Sequence, residues 1–227
     1  MRIKALFLGD IRFQIKYGIY FIYSVFTIMY ISLLYILPEA WREKAAILMI
    51  FTDPAAMGLY FMGAIVLFEK SERVLNSIAI SPVQTKEYVI SKLMSVGLIS
   101  TIVGLVIGFG SNVITNPYFF SIGVFGGSLL FSSIGLAIAT KIGSLNQFIV
   151  ATIPAEILIN IPAIAYLFGW KSRWILLHPG ACIIELLNNG DHATLALAIL
   201  AIWTVAFIML TIYITSKSMK SLGGVKL

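Results

Sequence analysis

Six stretches of this chain are apolar for long enough to cross a lipid bilayer: Tyr17–Leu37, Ala46–Phe68, Leu93–Ser111, Tyr118–Ala139, Gln147–Phe168 and Ala193–Ile214. A helix rises about 1.5 Å per residue, so about 20 apolar residues cover about 30 Å of hydrocarbon. Apolar residues run around the whole of each predicted helix, as lipid or a bundle core requires. Barrel strands do not fit, because each would be about 10 residues of strict alternation. Composition agrees. Of 227 residues 59% are hydrophobic and only 11% charged, more apolar matter than a water-soluble globule can hide. A soluble enzyme, a disordered tail, a coiled coil and a collagen are excluded, and the predicted class is an all-α, polytopic integral membrane protein.

Lysine and arginine are retained on the cytoplasmic side, and six spans put both termini on one side. That side takes twelve of the 16 basic residues: Arg2, Lys4, Arg12, Lys16, Lys70, Arg73, Lys86, Lys92, Lys141, Lys217, Lys220 and Lys226. The other side has Arg42, Lys44, Lys171 and Arg173. The chain therefore reads as a multi-pass protein of the cell (plasma) membrane with N-terminus and C-terminus cytoplasmic. Its net charge of +6 belongs to those loops, with no nucleic-acid partner implied. The lone Cys182 excludes an internal disulfide and a cysteine-built metal site. Met1-Arg2-Ile3-Lys4 does not read as the start of a signal peptide. Within residues 1–16, Ile3, Phe7, Ile11 and Ile15 recur at four-residue steps with Arg12 and Lys16 elsewhere, which predicts an interfacial helix on the inner leaflet. Residues 17–227 form a single six-span domain.

Three connections are short: Pro38–Ala45, Asn112–Pro117 and Thr140–Asn146. The external segment 169–192 is longer and half apolar. Its run Trp174–Ile184 is too short to span, so it predicts a re-entrant or interfacial helix pair broken at Pro179-Gly180 before the last span. Trp170 and Trp174 suit the headgroup layer.

The cytoplasmic segment 69–92 is dense in charge. Glu69 to Ile80 continues the second span, with charges first and then an apolar face of Val74, Leu75, Ile78 and Ala79. Ser81-Pro82-Val83-Gln84 predicts a new helix, Pro82–Lys92, capped by the serine hydroxyl. An apolar knob beside paired charges in cytosol fits a partner protein; a solvated loop that only holds topology fits the same residues.

The pattern Glu69-Lys70-x-Glu72-Arg73-x-Leu75, then Ser81-Pro82-Val83, then Glu87-Tyr88-x-x-Ser91-Lys92 resembles the segment between the second and third spans of ABC-2 type permeases, the membrane subunits of ATP-binding-cassette exporters. The resemblance extends over the whole chain, including His178-Pro179 where the family has a polar residue before proline. Asp53-Pro54-Ala55-x-x-Gly58-Leu59-x-Phe61-x-Gly63-Ala64 is most similar to the small permeases of fluoroquinolone or multidrug export. The resemblance implies a coupling helix that docks on a separate ABC ATPase subunit, with Glu69, Glu72, Arg73, Leu75, Ser81 and Pro82 as coupling residues. It implies a second permease, of the same or a similar chain, and export of a drug-like or amphipathic substrate. This chain would then be a transport subunit and no enzyme, with no cofactor of its own and ATP-Mg bound by the partner.

Two carboxyls lie at bilayer depth, where ionisable groups are costly and function is the default reading. Glu156, flanked by Pro154 and Pro162, sits near mid-membrane. It reads as a translocation-path group, or as a carboxyl hydrogen-bonded to a neighbouring helix. Asp53 reads as a path residue, or as an N-cap that restarts the helix at Pro54. Gly104 and Gly108, with Gly123 and Gly127, are small-residue steps for packing inside the chain or for a dimer seam. Tyr17 and Tyr20 suit a boundary belt, whereas Tyr23 and Tyr30 fit a cavity. His178, Glu185, Asp191 and His192 match no metal-ligand spacing, and no phosphate-binding loop is present. Two other functions remain: a self-sufficient proton-coupled secondary transporter using Glu156 and Asp53, and a lipid-modifying enzyme near His178 or His192.

Overall fold

The computed structural model describes residues 2–79, 81–170, 172 and 174–222. Ile80, Lys171, Arg173 and Lys226, which entered the helix extension and the charge count, lie outside the described residues. Among the described residues there is no strand. The helices are α1 (Arg2–Lys16), α2 (Ile19–Ile36), α3 (Glu39–Ile50), α4 (Met57–Ser71), α5 (Val74–Ala79), α6 (Thr85–Gly110), α7 (Pro117–Lys141), α8 (Leu145–Leu167), α9 (Pro179–Leu187) and α10 (Ala193–Leu222). A π-helical turn, Phe51–Ala55, joins α3 to α4, and a 3-10 turn, Ile175–Leu177, precedes α9. Six helical units are long and apolar enough to cross a membrane: α2, α3 through α4, α6, α7, α8 and α10. They are spans 1 to 6.

Three local expectations give way. Pro38–Ala45 is no loop, because α3 begins at Glu39, an acid that complements the positive end of the helix dipole. Arg42 then turns back to donate to the carbonyls of Leu34 and Leu37 at the end of α2 (3.1 and 3.3 Å). The helix after the bend starts at Thr85 and not at Pro82. The Ser81 hydroxyl is taken up in a local turn, donating to the Ile78 carbonyl and accepting from the Val83 amide. Glu87 instead caps the new helix by accepting from the Gln84 amide at 2.9 Å. Finally, Asp53 is no N-cap. The chain passes it in the π-helical turn, with the Ala56 amide bonded to the Phe51 carbonyl at 3.1 Å, and both Asp53 carboxyl oxygens are buried without a hydrogen-bond partner.

Spans 2, 3 and 4 form the centre of the bundle. In their most apolar windows 65%, 56% and 67% of positions are buried, against 22% in each of spans 1, 5 and 6. A Cβ on Gly135 in span 4 would overlap the Leu59 carbonyl of span 2, so glycine there sets the closeness of the two backbones. The two glycine steps serve packing within the chain: Gly104 and Gly108 face Val124 and Phe120, while Gly123 and Gly127 face Leu186 and Ile183 of α9. Every residue of α9 is buried, among α7, α8 and α10. The segment before the last span thus re-enters the bundle as one short helix preceded by a 3-10 turn, with Trp170 and Trp174 exposed.

Candidate functional site: a coupling node and intramembrane polar groups

The end of span 2 is fastened on two sides by consecutive residues. Glu69 is 6% exposed and accepts from Lys92 Nζ of α6 at 2.6 Å and from the Tyr88 hydroxyl at 2.7 Å. Lys92 also reaches Asp10 of α1 at 2.8 Å, and the other Asp10 oxygen accepts a short bond from Ser91. One buried lysine therefore serves two carboxylates, and the hydroxyls of Tyr88 and Ser91 satisfy the remaining oxygens. That satisfaction is what makes a buried ion pair tolerable. Lys70, the next residue, points the other way. Its Nζ donates to the Ala139, Thr140 and Ile142 carbonyls at 2.7 to 2.8 Å, a cation capping the negative end of α7.

α1 lies parallel to the start of α6 over its whole length. Arg2 donates to the Pro82 carbonyl (2.9 Å), Asp10 meets Ser91 and Lys92, and Gln14 donates to Ser95 (2.8 Å). Phe13 and Tyr17 close the far end against Phe68 of α4. The bend itself turns at Arg73, whose φ of 57° is left-handed and costs a non-glycine residue about 1–2 kcal/mol.

Of the six residues assigned to coupling, Glu72, Arg73 and Pro82 are exposed, Ser81 is half-buried, and Glu69 and Leu75 are buried. The expected apolar knob is not on the surface: α5 packs against α10, which covers Leu75 and most of Val74 and Ile78. The face that the bend presents is polar. The network that Asp10, Tyr88, Ser91 and Lys92 form with Glu69 went unrecognised, as did the cap that Lys70 places on α7; the signal for the network was a lone acid in α1 and a lone lysine on the threshold of span 3.

Glu156 and Asp53 are not brought together. Glu156 is half-buried on span 5, and the Tyr60 hydroxyl of span 2 faces it and Thr152. Asn160, one turn further along, has its side-chain oxygen buried without a partner. Thr152, Glu156 and Asn160 thus follow one another at four-residue spacing along span 5, the first two beside Tyr60 of span 2. Asp53 lies elsewhere, buried near enough to Tyr23 and Tyr30 of span 1 for its charge to act on both.

On the side opposite the termini, His178 caps α9, its Nδ1 accepting from the Gly180 amide at 3.3 Å. This assigns the ring proton to Nε2. The Leu158 carbonyl, which lost its helical donor to Pro162, lies against the same ring. Burial pushes the His178 pKa below its ordinary value. Glu185 accepts from the Tyr166 hydroxyl and from the His192 amide and borders a cavity of about 920 Å³ also lined by Glu43, Lys44 and Asp191. No group of three metal-ligating side chains occurs among the described residues.

Six apolar spans, a re-entrant helix before the last and an ion-paired bend define an all-α polytopic membrane protein. A profile of the fluoroquinolones export permease protein family matches residues 2–222, and the chain belongs to that family. Two relatives named as fluoroquinolones export permease proteins, from two strains of Mycobacterium tuberculosis, are each 28% identical over 181 residues, covering 76% of this chain and 75% of the relative. The resemblance to ABC-2 exporter permeases carried by the segment between spans 2 and 3 stands with that membership.

Proposed function

We propose that this chain is half of the membrane path of an ATP-driven exporter, with both termini cytoplasmic and a separate ABC ATPase docked on the bend between spans 2 and 3. One observation carries this reading. Glu69, Lys92 and Asp10 weld the end of span 2, the start of span 3 and α1 into one unit, while Glu72, Arg73 and Pro82 stay exposed at its tip. Force applied to the tip then tilts spans 2 and 3 together and is not spent in a soft loop. Asp10, Lys70 and Lys92 are positioning residues in this scheme. The exposed apolar residues of α1, Ile3, Leu8 and Ile15, lie on the inner leaflet.

The path runs past Thr152, Glu156 and Asn160 of span 5 and past Tyr60, and is completed by a second permease of the same or a similar chain. A carboxyl beside a tyrosine suits an amphipathic cation with an aromatic ring, a chemistry shared by the fluoroquinolones for which the relatives are named.

The test is reconstitution of the chain with the ATPase it co-purifies with. ATP-dependent drug transport that Glu72→Ala/Arg73→Ala abolishes without unfolding supports the reading. Glu156→Gln should lower transport of cationic drugs about tenfold or more, the loss of one charge-assisted contact. Transport by the chain alone, driven by a proton gradient and indifferent to ATP, would overturn it.

A further inference from the structure

We propose that Asp53, Tyr23 and Ser100 form an intramembrane site for one small monovalent cation, a proton or a sodium ion, between span 1 and the core of the permease. Asp53 is 2% exposed and Tyr23 1%. Both Asp53 oxygens and the Tyr23 hydroxyl are buried without a hydrogen-bond partner, and Asp53 is in no ion pair among the described residues. The Tyr23 hydroxyl lies beside Ser100 of span 3, and both Tyr23 and Tyr30 of span 1 are close enough to the Asp53 carboxyl to feel its charge. Behind them Ser100 accepts from Ser128 of span 4 at 2.9 Å. Hydroxyls of spans 1 and 3, backed by Ser128 of span 4, thus lie in the neighbourhood of the one carboxyl that span 2 buries at bilayer depth.

The backbone is shaped for this. Pro54 has no N–H to give, and the chain answers with a π-helical turn, Phe51–Ala55. Such a turn inserts a residue into the helix and re-aims its side chains, here placing Asp53 inside the bundle. An ionised carboxyl in that setting is untenable alone: desolvation costs several kcal/mol and no lysine or arginine repays it. One positive charge resolves the conflict, as a proton on an Asp53 oxygen or as a sodium ion held by that carboxylate with the tyrosine and serine oxygens. A divalent ion is disfavoured, since a single carboxylate leaves it undercompensated. Because Tyr23 and Tyr30 both belong to the peripheral span 1, the bound cation fastens that span to the core.

The inference needs no ATPase and is separable from the export reading, so it is tested on the purified full-length permease in lipid nanodiscs. If sodium is the occupant, exchanging choline chloride for sodium chloride at fixed ionic strength raises the thermal midpoint of the wild type, and Asp53→Asn removes the rise. If the proton is the occupant, infrared difference spectra on acidification gain a carboxylic-acid C=O band that Asp53→Asn lacks and sodium does not change. Tyr23→Phe should shift either response by about tenfold in cation concentration, because the occupied site then lacks the hydroxyl that would bond the ion or the carboxylate. Should Asp53→Asn fail to fold, the wild type and Tyr23→Phe decide by themselves. A wild type without either response, a response retained in Asp53→Asn, or one unshifted in Tyr23→Phe overturns the site.

Discussion

Lys92 holds two carboxylates, Glu69 at 2.6 Å and Asp10 at 2.8 Å, at 3% side-chain exposure. Its removal leaves both acids inside without a counter-charge, so Lys92→Met should destabilise the folded permease by about 3–5 kcal/mol, read from unfolding in detergent. Adding Asp10→Asn and Glu69→Gln should restore part of that loss, because neutral side chains need no counter-ion. A Lys92→Met protein as stable as the wild type would show that the pairs contribute nothing. Arg73 offers a different separation. Glycine accepts its left-handed φ of 57° without penalty, so Arg73→Gly should unfold no earlier than the wild type. Transport coupled to ATP should nevertheless fall with the lost guanidinium and return in Arg73→Lys. Equal transport in Arg73→Gly would mean that the residue serves only the turn.

At the scale of elements, α9 is buried throughout but is capped by a group that titrates. Its cap requires a neutral His178, and burial lowers the pKa of that ring below the ordinary value of about 6.5. The folded state binds the proton less readily than the unfolded one. The cap's contribution is therefore complete above about pH 6.5 and is lost as pH falls through that value toward the folded pKa. Mild acid should lower the protection factors of the amides at the start of α9, intrinsic exchange rates being corrected for pH, and His178→Asn, which keeps an acceptor that does not titrate, should erase the acid effect. The close approach between spans 2 and 4 is testable at the same scale. Gly135→Ala sets a methyl group against the Leu59 carbonyl and should cost about 1–3 kcal/mol as an overpacked site, measured by thermal unfolding.

Across the whole molecule, stability is graded from the buried spans 2, 3 and 4 to spans 1, 5 and 6, so hydrogen exchange should be slowest in α4, α6 and α7. Exchange that is slowest in α8 would contradict this layering. The all-α class, the six spans and the re-entrant segment were legible in the sequence because bilayer thickness and the ban on unpaired backbone polar groups permit so few solutions. The family was legible because segment 69–92 is charged where its neighbours are apolar. Much of the site was not. Ser81 and Asp53 have the residue type of helix caps, yet Ser81 closes a local turn and Asp53 faces into the core; Leu75 looked exposed until the end of α10 covered it. The chain by itself determined what must lie in lipid, a property of composition and length. Only the folded bundle decided which side each polar group turns to, since Asp10 and Lys92 are 82 residues apart and their meeting depends on how distant helices pack.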